Sequence, residues 1–367
     1  MSKKGGVPKK HHFIPCAHLT QFAEPNGVDP RDALIYEWDK CTGEVRRNKV
    51  RNVAYQKNLY RIPTEMLEQI PDRDKLPLEM QDELAWERMF SVVEGDIPLF
   101  AEAMQTHLAL PPVGSAAMDN LMTWMFLSNA RTPAILEEQR QLVVAFTNYY
   151  VNKKFGEDYL TKRFGENHAF DIGFKPNRAL LLSHMLALHN DITGLLKQRN
   201  WSLRFSRGAD YIISDNPMAW WFARKPDDPS RIPSPAQPQT LAMFPVTRKV
   251  LVTGEVETKS VVQLVDDDRW VGYYNTCAIN RAARYFYTYD DHFVLMTNGE
   301  RLPAYPAIYS SEEQVFTMTR QQFIQDWKNG KIHPPTPRAH DFDPSHFPWL
   351  DDIETVDGDE WERQHAE

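Results

Sequence analysis

Apolar positions recur at helical spacing through the middle of the chain and at strand spacing on either side of it. In residues 81–107, Leu84, Phe90, Val93, Ile97, Phe100 and Met104 fall mostly three or four apart, which predicts helix. Residues 115–155 form a second helical stretch, broken or kinked at Pro133, whose ring removes a backbone donor. Leu180, Leu181, Met185, Leu188, Ile192 and Leu196 predict a third over 178–200. Upstream, Leu34-Ile35-Tyr36-Glu37-Trp38-Asp39 and Glu44–Val50 flank Lys40-Cys41-Thr42-Gly43, the pattern of a β-hairpin. Residues 53–60 predict a third strand or a short helix, and Pro63 and residues 71–77 break the chain. Strand character returns at 201–213, 244–254 and 259–265, with a Pro-rich loop at 225–239, before a predicted helix at 266–287.

These elements predict an α+β fold, a mixed or antiparallel sheet with an inserted, mostly helical middle region. The hairpin and the later strands are expected in one sheet, with the helices covering one side. No internal repeat and no midway linker divides residues 1–367, so a single α+β domain is expected. Residues 291–367 form a partly irregular C-terminal extension. Its tail from residue 331, rich in Pro, His and acidic residues, is expected to wrap the surface or remain partly disordered.

Composition narrows the function classes. Hydrophobic content of 42% and charged content of 25% suit a globular chain. No apolar run reaches the ~18 residues of a membrane span. The basic start lacks the apolar segment of a secretory signal. Three unpaired cysteines, Cys16, Cys41 and Cys277, have neither disulfide nor zinc-site spacing and point to a reducing cytoplasm. A net charge of −8 opposes non-specific duplex binding by the whole surface, while Lys3, Lys4, Lys9, Lys10, Arg46, Arg47, Lys49 and Arg51 allow a local basic groove. His-Glu-x-x-His, the Walker loop, the dinucleotide fingerprint and the nucleophile elbow are all absent from the sequence.

The candidate chemistry begins at Lys9-Lys10-His11-His12-Phe13-Ile14-Pro15, where two imidazoles beside positive charge suit work at a phosphate. Adjacent residues of a strand face opposite ways, so one of the pair could equally pack inward. Arg131, in Asn129-Ala130-Arg131-Thr132-Pro133, ends an apolar run and needs either an anionic ligand or an ion pair with Glu87, Glu94 or Asp215. Glu87 and Glu94 lie two helical turns apart, roughly 10 Å, and a solvated helix face is the plainer reading of them. Ser214-Asp215-Asn216-Pro217 ends a strand, where Asp215 suits a metal ligand or base and Asn216 a substrate contact. The same tetrapeptide is also good turn chemistry. Asn280 and Arg284 are expected on one helix face.

In order and spacing these blocks resemble a bacterial family, the domain-of-unknown-function family numbered 4238, from about Lys10 to Asp290. The similarity rests on His11-His12-Phe13-Ile14-Pro15 with Leu19 and Phe22, the 34–43 hairpin, Asn52-Val53-Ala54 with Leu59-Tyr60, and the 87–94 helix. Arg131-Thr132-Pro133, Ser214-Asp215-Asn216-Pro217, Phe244-Pro245-Val246-Thr247 and residues 280–287 complete it. The resemblance implies that His12, not His11, holds the family's histidine position, and it implies an association with defence against phage.

The leading expectation is an antiphage effector hydrolysing a phosphodiester of nucleic acid or nucleotide. His12, Asp215, Asn216 and Arg131 would be catalytic, with His11, Lys10 and Arg284 contacting substrate. A divalent metal would be held by His12, Asp215 and Glu87. The alternatives are a non-catalytic sensor, whose pocket beside Trp220-Trp221 takes a phage component or small anionic ligand, and a metal-free enzyme acting on a nucleotide.

Overall fold

The structure is a computed structural model that describes residues 10–68, 81–155, 189–222, 233–256, 262–265, 268–298, 306 and 313–332. The expected break at 71–77, the start of the helix at 178–188, most of the Pro-rich loop and the tail from 333 lie outside the described residues. The chain divides into two compact units, Met1–Thr132 with Met185–Thr336 and Pro133–His184 with Pro337–Glu367. In chain order the first unit contains β1 (Lys10–His12), α1 (Cys16–Leu19), β2 (Leu34–Asp39), β3 (Val45–Lys49), β4 (Tyr55–Lys57), α2 (Thr64–Glu68), α3 (Ala85–Glu94), α4 (Ile97–His107) and α5 (Ala116–Ala130). Of the second unit, helix α6 (Pro133–Phe155) is described. The first unit resumes with α7 (His189–Lys197), β5 (Asn200–Ser206), β6 (Ile213–Ser214), β7 (Ala219–Phe222), β8 (Thr240–Thr247), β9 (Val250–Glu255), β10 (Val262–Val265), α8 (Arg269–Arg281), β11 (Tyr285–Thr288), β12 (His292–Thr297), β13 (Gln314–Thr319) and α9 (Arg320–Lys328).

The fold is α+β, with antiparallel and mixed sheets. A five-stranded sheet runs β10-β5-β9-β8-β7, antiparallel except where β10 joins β5. Every residue of β8 is buried, because both faces of that sheet are covered. Alternate positions separate cleanly between the two faces. Ala242, Phe244 and Val246 pack with Phe100 and Met104 of α4, Trp124 of α5 and Leu196 of α7. Leu241 and Met243 pack on the other side with Val271, Tyr274 and Cys277 of α8. The same alternation sends Trp220 to the first core and Trp221 to the second, and both are buried. They are core residues, not the rim of the pocket expected beside them.

The 34–49 hairpin forms as expected, in register from Leu34 opposite Lys49 to Trp38 opposite Val45. Asp39 Oδ1 accepts from the N–H groups of Cys41 and Thr42 in its turn. Gly43, at φ +70°, backs directly onto the Trp327 ring, where a Cβ would clash.

The expectation of one shared sheet is corrected. The hairpin belongs to a separate four-stranded sheet, β3-β2-β11-β6. The helix expected over 266–287 supplies the missing strand, since α8 stops at Arg281 and β11 pairs with β2 on one side and β6 on the other. The aromatic run Tyr285-Phe286-Tyr287 suits a strand, and Phe286 stacks on Trp38 with ring centroids 5.6 Å apart. Arg284 therefore lies beyond the helix and does not share a helical face with Asn280. The stretch at 81–107 is likewise two helices, separated at Gly95, with Pro98 at the start of the second.

Candidate functional site

Strand β1 pairs antiparallel with β4, placing His11 opposite Gln56 and His12 opposite Tyr55. Period two splits the histidines. His11 points inward and is fully buried, while His12 is half-buried, not exposed as an N-terminal surface residue would be. His11 Nδ1 accepts the Tyr60 main-chain N–H at 3.0 Å, and its ring stacks on the Tyr60 ring at 5.7 Å. Tyr60 also donates its hydroxyl to the Arg131 carbonyl at 2.8 Å and meets the Phe90 ring edge-on at 5.0 Å. One buried tyrosine thus ties together the histidine strand, helix α3 and the end of α5.

Arg131 is 2% exposed. Its Nη1 donates to Glu94 Oε1 at 2.6 Å, its Nε to the Phe13 carbonyl at 3.2 Å, and its guanidinium lies 4.9 Å from the centroid of Phe90. Its Nη2 is buried with no hydrogen-bond partner among the described residues. Helix geometry explains the remaining member of the group. Glu87, Phe90 and Glu94 follow one another at i, i+3 and i+7 on α3, so all three face Arg131 and Tyr60. The two acids are therefore not a solvated face, although about a third of each side chain remains exposed. Glu87 Oε2 stands 4.0 Å from His11 Nδ1, beyond hydrogen-bond range.

The electrostatics separate the groups by role. Burial, then the neighbouring Glu94 charge, push the Glu87 carboxyl up to about 7 against the pull of Arg131. Burial pulls His12 down to about 4, with Arg131, Lys10 and His11 acting in the same direction, against a hydrogen bond to the Arg51 backbone. His12 is thus a neutral imidazole at neutral pH, and its Nε2 is buried without a partner. Burial and Glu94 push the nearby Cys16 thiol up to about 11, so it is no thiolate nucleophile. His18 is structural. Its Nε2 lies 2.7 Å from the Pro245 carbonyl, and Phe22, Trp124 and Phe244 surround the ring.

Asp215 belongs to a second polar cluster. It is 5% exposed, and its carboxylate accepts from the N–H groups of Ala283, Arg284 and Tyr285 at 2.7–2.8 Å. These bonds turn the chain from α8 into β11. Burial pushes its pKa up, opposed by those three donors and by Lys40. Lys40, itself buried, donates to the Ile279 and Ala282 carbonyls at the end of α8, and burial lowers it to about 8. Arg284 forks onto Asp39 Oδ2 at 2.7 and 3.0 Å. Asn216 makes main-chain contacts with Ser214, and its side-chain oxygen is buried without a partner.

The structure therefore gathers His11, Glu87, Glu94 and Arg131 on the inner side of β1, while His12 lies on the opposite face with Lys10 and is reached by the Arg131 charge. Asp215, Asn216 and Arg284 interact elsewhere, and none of their hydrogen bonds or ion pairs involves His12 or Arg131. The ligand set His12, Asp215 and Glu87 does not assemble, because the Asp215 carboxylate is engaged by three backbone amides. Among the described residues no group of three or more His, Cys, Asp or Glu side chains could hold a metal ion. The sequence offered Glu94 as an ion-pair partner for Arg131, an alternative to Glu87 for completing a metal site, or part of a solvated face, and gave no role at the site to Tyr60 or Phe90. The i, i+3, i+7 spacing of Glu87, Phe90 and Glu94 was the available signal.

Fold and site define an α+β protein built around a buried histidine–arginine centre with a protonatable glutamate at its edge. The chain belongs to the family described as "Protein of unknown function (DUF4238)", whose profile matches residues 10–292. No curated protein and no solved structure matches it. Among the described residues no helix is long and apolar enough to cross a membrane.

Proposed function

We propose that this protein is a bacterial antiphage effector that hydrolyses a phosphodiester, with His12 as general base, Glu87 as general acid and Arg131 stabilising charge on the phosphate. The observation that carries this reading is the pair of opposed shifts around one buried guanidinium, a histidine held neutral and a glutamate held near 7. Groups whose surroundings drive their pKa values apart suit an acid–base division of labour. The defence role is supported by the association that the family resemblance implies.

In this reading His12 Nε2, buried in the structure, is uncovered as substrate seats; the neutral ring then takes a proton from water there, and the water oxygen forms a bond to phosphorus. The P–O bond to the leaving alcohol breaks, and the protonated Glu87 carboxyl supplies that alcohol's proton. His12 ends protonated and Glu87 ionised, and solvent restores both. Glu94 holds the Arg131 fork in place, and Tyr60 fixes the His11 ring that flanks Glu87.

The test is hydrolysis of end-labelled oligonucleotides by the wild type and Glu87→Gln, with phage plating efficiency measured in parallel. Removing the acid is expected to lower the rate at least ~100-fold while the fold persists, and to abolish protection. A Glu87→Gln protein that cleaves and protects like wild type would refute the assignment. Retained protection without hydrolysis in either protein would favour the sensor that recognises a phage component or small anion.

A further inference from the structure

We propose that the β1–β4 ribbon is a docking track for the sugar-phosphate backbone of a single-stranded nucleic acid, delivering the strand to His12. The proposal deepens the phosphodiesterase reading and rests on it for the fate of the strand, not for its binding. Lys10 lies directly opposite Lys57, and His12 directly opposite Tyr55. Because side chains alternate along a strand and opposed pairs share a face, Lys10, His12, Tyr55 and Lys57 occupy one face of the ribbon. His11 and Gln56 take the other.

Like charges placed opposite each other across two strands are unfavourable unless something anionic lies over them. Both lysines are exposed, and neither has an acidic partner among the described residues. The neighbouring cations contrast with them. Arg46 pairs with Glu44, Arg47 with Glu24, and Lys49 and Arg51 with Asp32. Among these described cations of the hairpin and ribbon, the two without an acidic partner are therefore the lysines on the ribbon that carries His12. Lys10 is held in position by the Asn52 side chain at 3.1 Å, and its ammonium stands 4.3 Å from the centroid of the Tyr55 ring.

A pair of cations beside an aromatic ring matches phosphate plus an unstacked base, the recognition mode of single strands. A duplex fits poorly. Its bases are not free to stack, and a net charge of −8 repels a large polyanion away from this local patch. Successive same-face residues are ~7 Å apart along a strand, so a strand contacting the lysine pair is one step from His12.

Fluorescence anisotropy with a labelled twenty-nucleotide oligothymidylate and the matching oligouridylate, between 50 and 200 mM salt, tests the track. Three variants are compared with wild type: Lys10→Gln/Lys57→Gln, Tyr55→Leu, and Arg46→Gln as a paired-cation control. The double variant is expected to bind at least fivefold more weakly at 50 mM salt. Its plot of log affinity against log salt should be shallower by about 1.4, the loss of two phosphate contacts. Tyr55→Leu should weaken binding about tenfold with the slope kept, and Arg46→Gln should bind like wild type. The two oligomers distinguish DNA from RNA as the source of the strand. A wild type that binds neither, or a folded double variant with an unchanged slope, would overturn the proposal. Lysine-dependent binding without cleavage would uphold the track and remove the hydrolase reading. Cleavage with lysine-independent binding would do the reverse.

Discussion

Asp215→Ala is expected to lower the melting temperature by about 5–10 °C and to deplete soluble protein. The carboxylate is the acceptor for three consecutive N–H groups, those of Ala283, Arg284 and Tyr285. Each donor left without a partner costs about 1–3 kcal/mol. The buried Lys40 ammonium would also lose the nearby negative charge that helps keep it protonated. A total near 5 kcal/mol is a large share of the about 5–15 kcal/mol that holds a typical domain together, and at this size one kcal/mol moves the midpoint by roughly 1.5 °C. Asp215→Asn keeps one accepting oxygen and should fall between. Circular dichroism melts of the three proteins check the ordering. A Asp215→Ala protein melting with wild type would show that β11 turns into its sheet without this acceptor.

Arg131→Ala should cost about 3–5 kcal/mol in urea unfolding, by a different route. The side chain is enclosed, so truncation leaves a cavity against Phe90 and strands the Phe13 carbonyl without its donor. Breaking a buried pair by removing one partner is costly because the other charge stays behind. Here Glu94 is partly exposed and can recruit water, which holds the expected loss to that range. Arg131→Lys keeps the charge but loses the fork that reaches Glu94 and Phe13 together, so an intermediate loss is expected. An unfolding midpoint for Arg131→Ala within the error of wild type would mean that the arginine is not the bridge between β1, α3 and α5.

The sequence conveyed the α+β class, the hairpin and the helical middle because each has a strong local period. It did not convey how the strands divide into sheets. Residues 266–287 read as one helix because the apolar pattern runs on past Arg281. What ends the helix is a carboxylate near residue 215, a long-range contact that no local window contains. The same contact explains why Asp215 looked like a site residue. An acid at a strand end carries one local signature whether it faces a substrate or a turning backbone. His12 and Arg131 were legible as polar interruptions, and the inward placement of His11 followed from strand alternation. Glu87 and Glu94 were discounted because surface helices commonly carry acids, and only the docking of α3 against Arg131 distinguishes them. Tyr60 was hidden for a further reason. Its role lies in where its main-chain N–H and its hydroxyl end up, and neither depends on a motif.

The central claim of the proposal is that His12 and Glu87, each under the Arg131 charge, divide the base and acid work, and the pH dependence of oligonucleotide hydrolysis tests it most directly. His12 must be unprotonated to act as base, so kcat/KM should rise as pH passes about 4. Glu87 must be protonated to act as acid, so kcat/KM should fall as pH passes about 7. The account predicts a bell with its plateau between those values and, in Glu87→Gln, a low residual rate with no descending limb near 7. A wild-type rate that stays flat or climbs from pH 7 to 9 would contradict it.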